Sequence, residues 1–299
     1  MKAGWTRWAS YTATGVALAF VLAIVLSLLV ESLPVWRDQG WTYLTGTVWH
    51  FRAGNFGALP MIYGSLVVAF IALALAGPLG LGAALFSAEY VPGKWRWWVK
   101  APIELLAGVP SVVYGLLGIL LLRDWVYRLL SPFDPLSGDT LLTGGVLLAV
   151  MILPTVMTLA DDALRGVAAS QRRAARGLGL TRAESIWRVS LPQATPGLAA
   201  ALLLGLGRAL GETIAVFLVV GRQDNQWPEF LLSPRPWLEA GQTLTSKLGG
   251  SETFLAYGDP LHWGAIVGLG LLLLVLVGGL TLLAGRWLPH GMQDGAHGA

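Results

Sequence analysis

Six apolar runs, each long enough to cross a bilayer, leave this chain few ways to fold. They lie near residues 12–31, 63–87, 102–122, 141–163, 196–221 and 263–287. A hydrocarbon core about 30 Å thick takes about 20 apolar residues per helix, so each run is read as a spanning helix. Composition agrees: 12% of the 299 residues are charged, against about 25% in a soluble domain, and the mean hydropathy is +0.64. The first run follows Lys2 and Arg7. It is too long for a signal-peptide core and lacks a small-x-small cleavage site, which makes it an uncleaved anchor. With no cysteine in the chain, disulfides, thiolate metal sites and thiol catalysis are excluded. His50, His262, His290 and His297 are scattered without metal-ligand spacing and read as exposed loop and tail residues.

Orientation follows from Lys and Arg. Arg165, Arg172, Arg173, Arg176, Arg182 and Arg188 fall in one loop, which joins Lys2, Arg7, Lys94, Arg96, Lys100 and Arg286 on a single side. That side is expected to be cytoplasmic, with both termini on it. Trp5, Trp8, Trp36, Trp95, Trp97, Trp98, Trp125, Trp187, Trp263 and Trp287 stand at span ends or in loops, where indole rings anchor in the headgroup layer. The Lys94–Trp98 cluster is a membrane-surface feature, not a nucleic-acid patch. The outer loops, about 32–62 and 222–262, contain a possible short surface helix at Trp41–Phe51 and a Pro-rich excursion with Pro228, Pro234 and Pro236.

Polar groups inside spans carry the functional signal. Arg208 lies 12 residues past Pro196 in the fifth run, about 18 Å along a helix and so near mid-bilayer. Glu212 follows at i+4, on the same face of a continuous helix. A charge at that depth costs at least about 2.5–3.5 kcal/mol on insertion scales. Two readings stay open. The residues form an ion pair that neutralises itself, or Arg208 offers a planar fork to a tetrahedral oxyanion while Glu212 positions or releases it. Gly205, Gly207 and Gly211 allow another helix to approach, Gly207 and Gly211 as a small-xxx-small pair. Glu104, Asp161 and Asp162 sit at span ends and read as wet interface residues. Pro110 and Pro154 lie inside spans, where they bend helices.

The loop between the fourth and fifth runs is built to protrude. Gln171–Gly177 reads as a short polar helix, Gly179 as its stop, and Thr181 with Glu184 as a capping box opening a second helix. Leu191-Pro192 then precedes the next span. The plain reading is an amphipathic hairpin; the functional one is a docking surface for a cytoplasmic partner.

This loop resembles the EAA loop of ABC-importer permeases: Glu-Ala-Ala, three residues, Gly, nine residues, Ile-x-Leu-Pro. Arg173-Ala174-Ala175, Gly179 and Val189-Ser190-Leu191-Pro192 stand at the matching spacing. Arg173 replaces the usual Glu and Val189 the usual Ile. Four further segments resemble PstC-type permeases of phosphate-specific importers over nearly the whole chain. They are Phe56–Leu66, Ile103–Gly115, Arg208–Val216 and Gly241–Lys247, with Arg222 in place of a usual Asn.

That resemblance implies an all-α polytopic membrane protein with the six-helix ABC-importer permease fold. Residues 1–61 would form the anchor helix and a periplasmic loop, 62–290 the permease domain with its coupling loop at 164–195, and 291–299 a tail. It implies a bacterial inner-membrane subunit that translocates phosphate through Arg208 and Glu212. ATPase contact would run through Arg173, Ala174, Ala175, Gly179, Leu191 and Pro192. The expected partners are a PstA-like second permease, a PstB-like ATPase dimer, a PstS-like binding protein and the lipid bilayer, with no nucleic acid. The chain itself takes no cofactor, since ATP and Mg belong to the ATPase, and it has no Gly-x-x-x-x-Gly-Lys-Ser/Thr loop. Another oxyanion such as molybdate or sulfate, or a scaffold role in phosphate sensing, remains as an alternative.

Overall fold

In the computed structural model the described residues are 2–133, 135–228 and 235–287, without the side chains of 2–6 and 283–287. Pro234, His290, His297 and the 291–299 tail lie outside them, as do the side chains of Lys2, Trp5, Arg286 and Trp287.

The chain is helical almost throughout. Helix α1 (Lys2–Gln39) is closed by Gly40, whose φ of +53° only a glycine adopts without strain. A single turn, α2 (Thr42–Thr45), follows. The surface helix expected over Trp41–Phe51 is confined to that turn. The rest is a two-residue antiparallel ribbon, Trp49–His50 against Asn55–Phe56, as its aromatic residues favour. Helix α3 (Leu59–Leu85) crosses the bundle and continues through a π-turn, Phe86–Tyr90. Next come α4 (Arg96–Ala107), α5 (Ser111–Leu117) and α6 (Arg123–Leu130). Helix α7 (Leu141–Gly166) opens on Thr140, whose side chain accepts the Thr143 N–H.

Helices α8 (Ala169–Gly177) and α9 (Arg182–Ser185) form the protrusion. Helix α10 (Leu191–Gly211) and α11 (Ile214–Val219) return through the bundle. The short helices α12 (Leu244–Leu248) and α13 (Glu252–Leu255) precede α14 (Pro260–Trp287). Among the described residues five helical stretches are long and apolar enough to span a membrane, and a bent pair, Arg96–Ala107 with Ser111–Phe133, makes a sixth if it counts as one span.

The end of the bundle carrying α8 and α9 is termed the lower end, and its opposite the upper end. The core runs α3 against α7, then α7 against α10. Glycines set the spacing: a methyl group added at Gly80 would meet Val156 at 2.9 Å, one at Gly145 would meet Ile71 at 2.5 Å, and one at Gly205 would meet Val156 at 2.7 Å. Three buried clusters follow one another along the bundle. The lower one includes Ala84, Met157 and Leu164, the middle one Val68, Leu148 and Val216, and the upper one Tyr43, Met61 and Leu269. Helix α1 leans on α14 at its upper half, where Leu28 and Pro34 face Gly270 and Gly264. Its lower half, from Trp8 to Leu26, is exposed along its length.

Candidate functional site

Two of the expected straight spans are broken. The third does not run unbroken over 102–122: α4 and the stretch beginning with α5 meet at 89°. The cause is Gly108-Val109-Pro110, because proline lacks an N–H and bars helical geometry to the residue before it. Tyr114 bridges the break by donating its hydroxyl at 2.8 Å to the Leu106 carbonyl, which also accepts the Val109 N–H. The fifth span is not continuous over 196–221 either. Helix α10 stops at Gly211, and Glu212 turns extended with ψ of 122°. The Glu212 carboxylate then accepts the Ala215 N–H at 3.2 Å and so caps α11. Arg208 and Glu212 are therefore not on one face of a continuous helix, and no ion pair joins them; each has a separate partner.

The two breaks lie side by side. A methyl group at Gly115 would meet the Ala215 Cα at 3.2 Å, and one at Gly118 would meet Val219 at 2.6 Å, so α5 and α11 pack backbone to backbone. Arg208 donates from Nη1 to Thr155 Oγ1 at 2.7 Å. Thr155 is the 15th residue of the 26-residue α7, about 20 Å from its upper end, close to mid-span. Among the described residues Thr155 is the one hydrogen-bond partner of Arg208, which leaves four of the five guanidinium N–H donors open. The surrounding face of α10 is bare: Leu204 is 57% exposed, and a methyl group at Gly211 would meet nothing of this chain within 4 Å; Gly207 instead borders a small gap against Val277 and Leu280 of α14. Of the three glycines expected to admit a neighbouring helix, Gly205 is in tight contact with one, against Val156 of α7.

At the lower end, α8 covers the expected Gln171–Gly177 helix, Gly179 stops it with φ of +83°, and Thr181 with Glu184 forms the capping box. The Glu184 carboxyl is held below its ordinary range by the backbone N–H and hydroxyl of Thr181. Arg173 and Ala174 face solvent, whereas Ala175 is buried. Leu178, at the tip, is 84% exposed. Leu191-Pro192 does not separate the protrusion from the next span. One helical stretch runs from Arg182 to Gly211, and the π-turn Ile186–Ser190 widens the helix where Pro192 lacks its donor.

Asp161 is not a wet residue. It is fully buried, with Lys100 Nζ at 2.8 Å and Arg165 Nε at 2.7 Å. Arg165 also donates to Ser87, so one carboxylate ties α4, α7 and the end of α3 together. Asp162 stays exposed beside Lys100. Glu104 is exposed as expected.

The upper end holds a polar network that the sequence reading missed. Lys247, 3% exposed, reaches Asp224 at 2.7 Å and Glu252 at 2.5 Å. Glu252 also takes hydrogen bonds from Trp49 and His262. His262 is buried between the rings of Phe51 and Phe56, not exposed as expected. Burial works to raise the Glu252 pKa but is outweighed by the hydrogen bonds from Lys247 and Trp49, so its carboxyl titrates below its ordinary range. Arg222, with φ of +55°, stacks on Phe217 at 4.5 Å. Phe217, Arg222, Asp224, Lys247 and Glu252 wall a cavity of about 260 Å³. Lys247 and His262 lie 15 residues apart on different helices and give no periodic signal; the one local hint is Glu252 at i+5 from Lys247.

A broken span beside a second broken span, a lone central guanidinium and a bare helix face describe half of a pore. Residues 76–288 match the family model described as the binding-protein-dependent transport system inner membrane component. The chain belongs to that family. It is a permease subunit with the ABC-importer fold. The permease is 32% identical over 275 residues to the phosphate transport system permease protein PstC of Mesorhizobium japonicum, covering 87% of this chain and 81% of that one. It is 34% identical over 266 residues to the probable ABC transporter permease protein YqgH of Bacillus subtilis, covering 87% and 82%. PstC 1 of Mycobacterium tuberculosis is 35% identical over 233 residues, covering 73% and 68%. Among solved structures, the inward-facing MetNI methionine ABC transporter superposes with a TM-score of 0.57 at 17% identity, over 75% of the permease and 91% of that chain. A bacterial alginate ABC transporter gives 0.54 at 16% identity, over 94% of each chain. At these identities the structures bear on the fold alone.

Proposed function

We propose that this permease moves inorganic phosphate into the cytoplasm, with Arg208 as the residue that meets the anion and ATP hydrolysis taking place in a separate subunit. The observation that carries the reading is the state of Arg208. It is a mid-span guanidinium pinned by one bond to Thr155 and otherwise open on an uncovered face. Such a charge is costly in hydrocarbon unless a partner or ligand meets it, and its planar fork matches two oxygens of a tetrahedral oxyanion. The choice of phosphate is supported by the relatives named PstC. Glu212 does not neutralise Arg208; it fixes the break that leaves the guanidinium accessible.

In this reading the bare face of α10 meets a PstA-like second permease. A PstB-like ATPase dimer, holding ATP and Mg, docks on the 164–195 protrusion around Arg173, Ala174, Ala175 and Gly179, and Leu191 and Pro192 transmit its motion into the helix that carries Arg208. A PstS-like binding protein delivers phosphate at the upper end. The chain is not itself an enzyme. Its Lys and Arg excess at the lower end supports an inner-membrane placement with both termini cytoplasmic.

The test is radiolabelled phosphate uptake by cells carrying Arg208→Gln, with membrane level of the permease measured alongside. Uptake should fall to background at unchanged level, and excess sulfate or molybdate should not compete in the wild type. Normal uptake by the variant overturns the role of Arg208; strong competition by sulfate or molybdate overturns phosphate as the substrate.

A further inference from the structure

The geometry points to a second anion site at the lower end, a pocket that takes the phosphate group of an anionic phospholipid. Between α8, α9 and the π-turn closing α3 lies a cavity of about 360 Å³, walled by Ala88, Glu89, Arg172, Arg176, Arg182 and Ser185. That volume falls in the range of small-ligand pockets, about 300–1,000 Å³. Three guanidiniums face one carboxylate. Glu89 is spent on Arg172 at 3.0 Å, so the cavity keeps the charge of Arg176 and Arg182.

The arginines are held for binding. Arg172 is locked by Glu89 and the Leu164 carbonyl. Arg182 bonds to the Glu89 carbonyl and stacks on Tyr90 with its guanidinium 4.7 Å from the ring centre. Arg176 is exposed and has no ion-pair partner among the described residues. None of these groups touches Arg208, which bonds to Thr155 near mid-span.

Depth identifies the ligand. The helical stretch Leu59–Tyr90 has 32 residues, about 48 Å of helix, longer than the about 40–45 Å of a bilayer with its headgroups. A stretch of that length brings Ala88 and Glu89, at its lower end, to the outer edge of the headgroup layer. Indoles mark the same level on both flanks. Trp95, Trp97 and Trp98 are each about two-thirds exposed on one side, and Trp187 is 70% exposed on the other. Amphipathic indole rings sit at that interface, and basic pockets there suit anionic headgroups, at about 1 kcal/mol per Lys or Arg. Free phosphate shares the chemistry and reaches the same hydrated layer, so the test carries an arm for each source.

The test is native mass spectrometry of the purified permease titrated with short-chain phosphatidylglycerol, phosphatidylcholine or inorganic phosphate, repeated with the ATPase subunit present. One phosphatidylglycerol should bind at least about tenfold more tightly than phosphatidylcholine. Arg176→Gln/Arg182→Gln should lose that preference, Arg176→Lys/Arg182→Lys should keep most of it, and millimolar inorganic phosphate should not displace the lipid. Equal binding of the two lipids by the wild type overturns the site without reference to any variant. So does a preference that survives both Gln substitutions. Displacement by inorganic phosphate assigns the pocket to the free anion instead, and loss of lipid on adding the ATPase assigns it to a protein contact; either result overturns the lipid reading.

Discussion

Replacing Asp161 by Asn should destabilise the lower end by about 3 kcal/mol. The carboxylate is fully buried and takes Lys100 at 2.8 Å and Arg165 at 2.7 Å. Breaking a buried ion pair by removing one partner costs about 3–5 kcal/mol, because the remaining charges lose their counter-charge. The low end of that range applies here. Lys100 retains Asp162 at 3.2 Å and Arg165 retains Ser87 at 3.3 Å, and both cations are 21% exposed, so water recovers part of the loss. At about 2–4 °C per kcal/mol for a chain of this order of size, the melting temperature in nanodiscs should drop by about 6–12 °C. The reasoning makes a second demand. The triple variant Lys100→Met/Asp161→Leu/Arg165→Met should recover most of the loss, since it removes the buried carboxylate together with both of its cations and leaves Asp162 to water. A drop under 2 °C for Asp161→Asn, or a triple variant less stable than the single one, would refute the account of a buried charge tie.

Other consequences follow from the same geometry. Glu252 titrates below its ordinary value of 4.5, so its contribution to stability is present above that pH and is lost as pH falls through the lower folded value. The acid limb of a melting-temperature profile should therefore flatten in Glu252→Gln, and an unchanged limb would rule the group out. Gly64→Ala drives a methyl group to 2.1 Å from the Gln242 carbonyl oxygen, backbone that cannot step aside; folded yield should fall, by at least about 1–3 kcal/mol in stability. Gly207→Ala meets nothing in this chain and should leave the isolated permease unchanged in melting temperature. Thr155→Val removes the one bond that orients Arg208. A hydrogen bond to a charged group is worth about 1.5–3 kcal/mol, so phosphate transport should drop by at least about tenfold in kcat/KM with the permease still folded; unchanged kinetics would show that Arg208 needs no such support.

How much of this was legible in the sequence divides by range. The spans were, because a 20-residue apolar run has one stable fate in a bilayer. The protrusion was legible nearly to the residue, since the Gly179 stop and the Thr181–Glu184 box are local chemistry. The breaks were not. Pro110 announced a bend but not its 89°, and nothing near Glu212 distinguishes an ion-paired helical residue from one that caps a new helix. Long-range partners were invisible for the same reason. Asp161 looked like a span-end carboxylate until Lys100, 61 positions away, was folded onto it. His262 looked like a loop residue until Phe51 and Phe56 closed over it. Arg208 was found by its depth alone, whereas Thr155, its partner, carries no sequence signal at all.

The central claim is that Arg208 meets the anion and does not merely hold the bundle together. The most direct measurement is phosphate accumulation in proteoliposomes of the complete transporter, wild type against Arg208→Gln, with ATP hydrolysis stimulated by the loaded binding protein followed in the same vesicles. The account predicts that accumulation falls to background while stimulated hydrolysis persists, because the protrusion at 164–195 is untouched. Accumulation at the wild-type rate would contradict it.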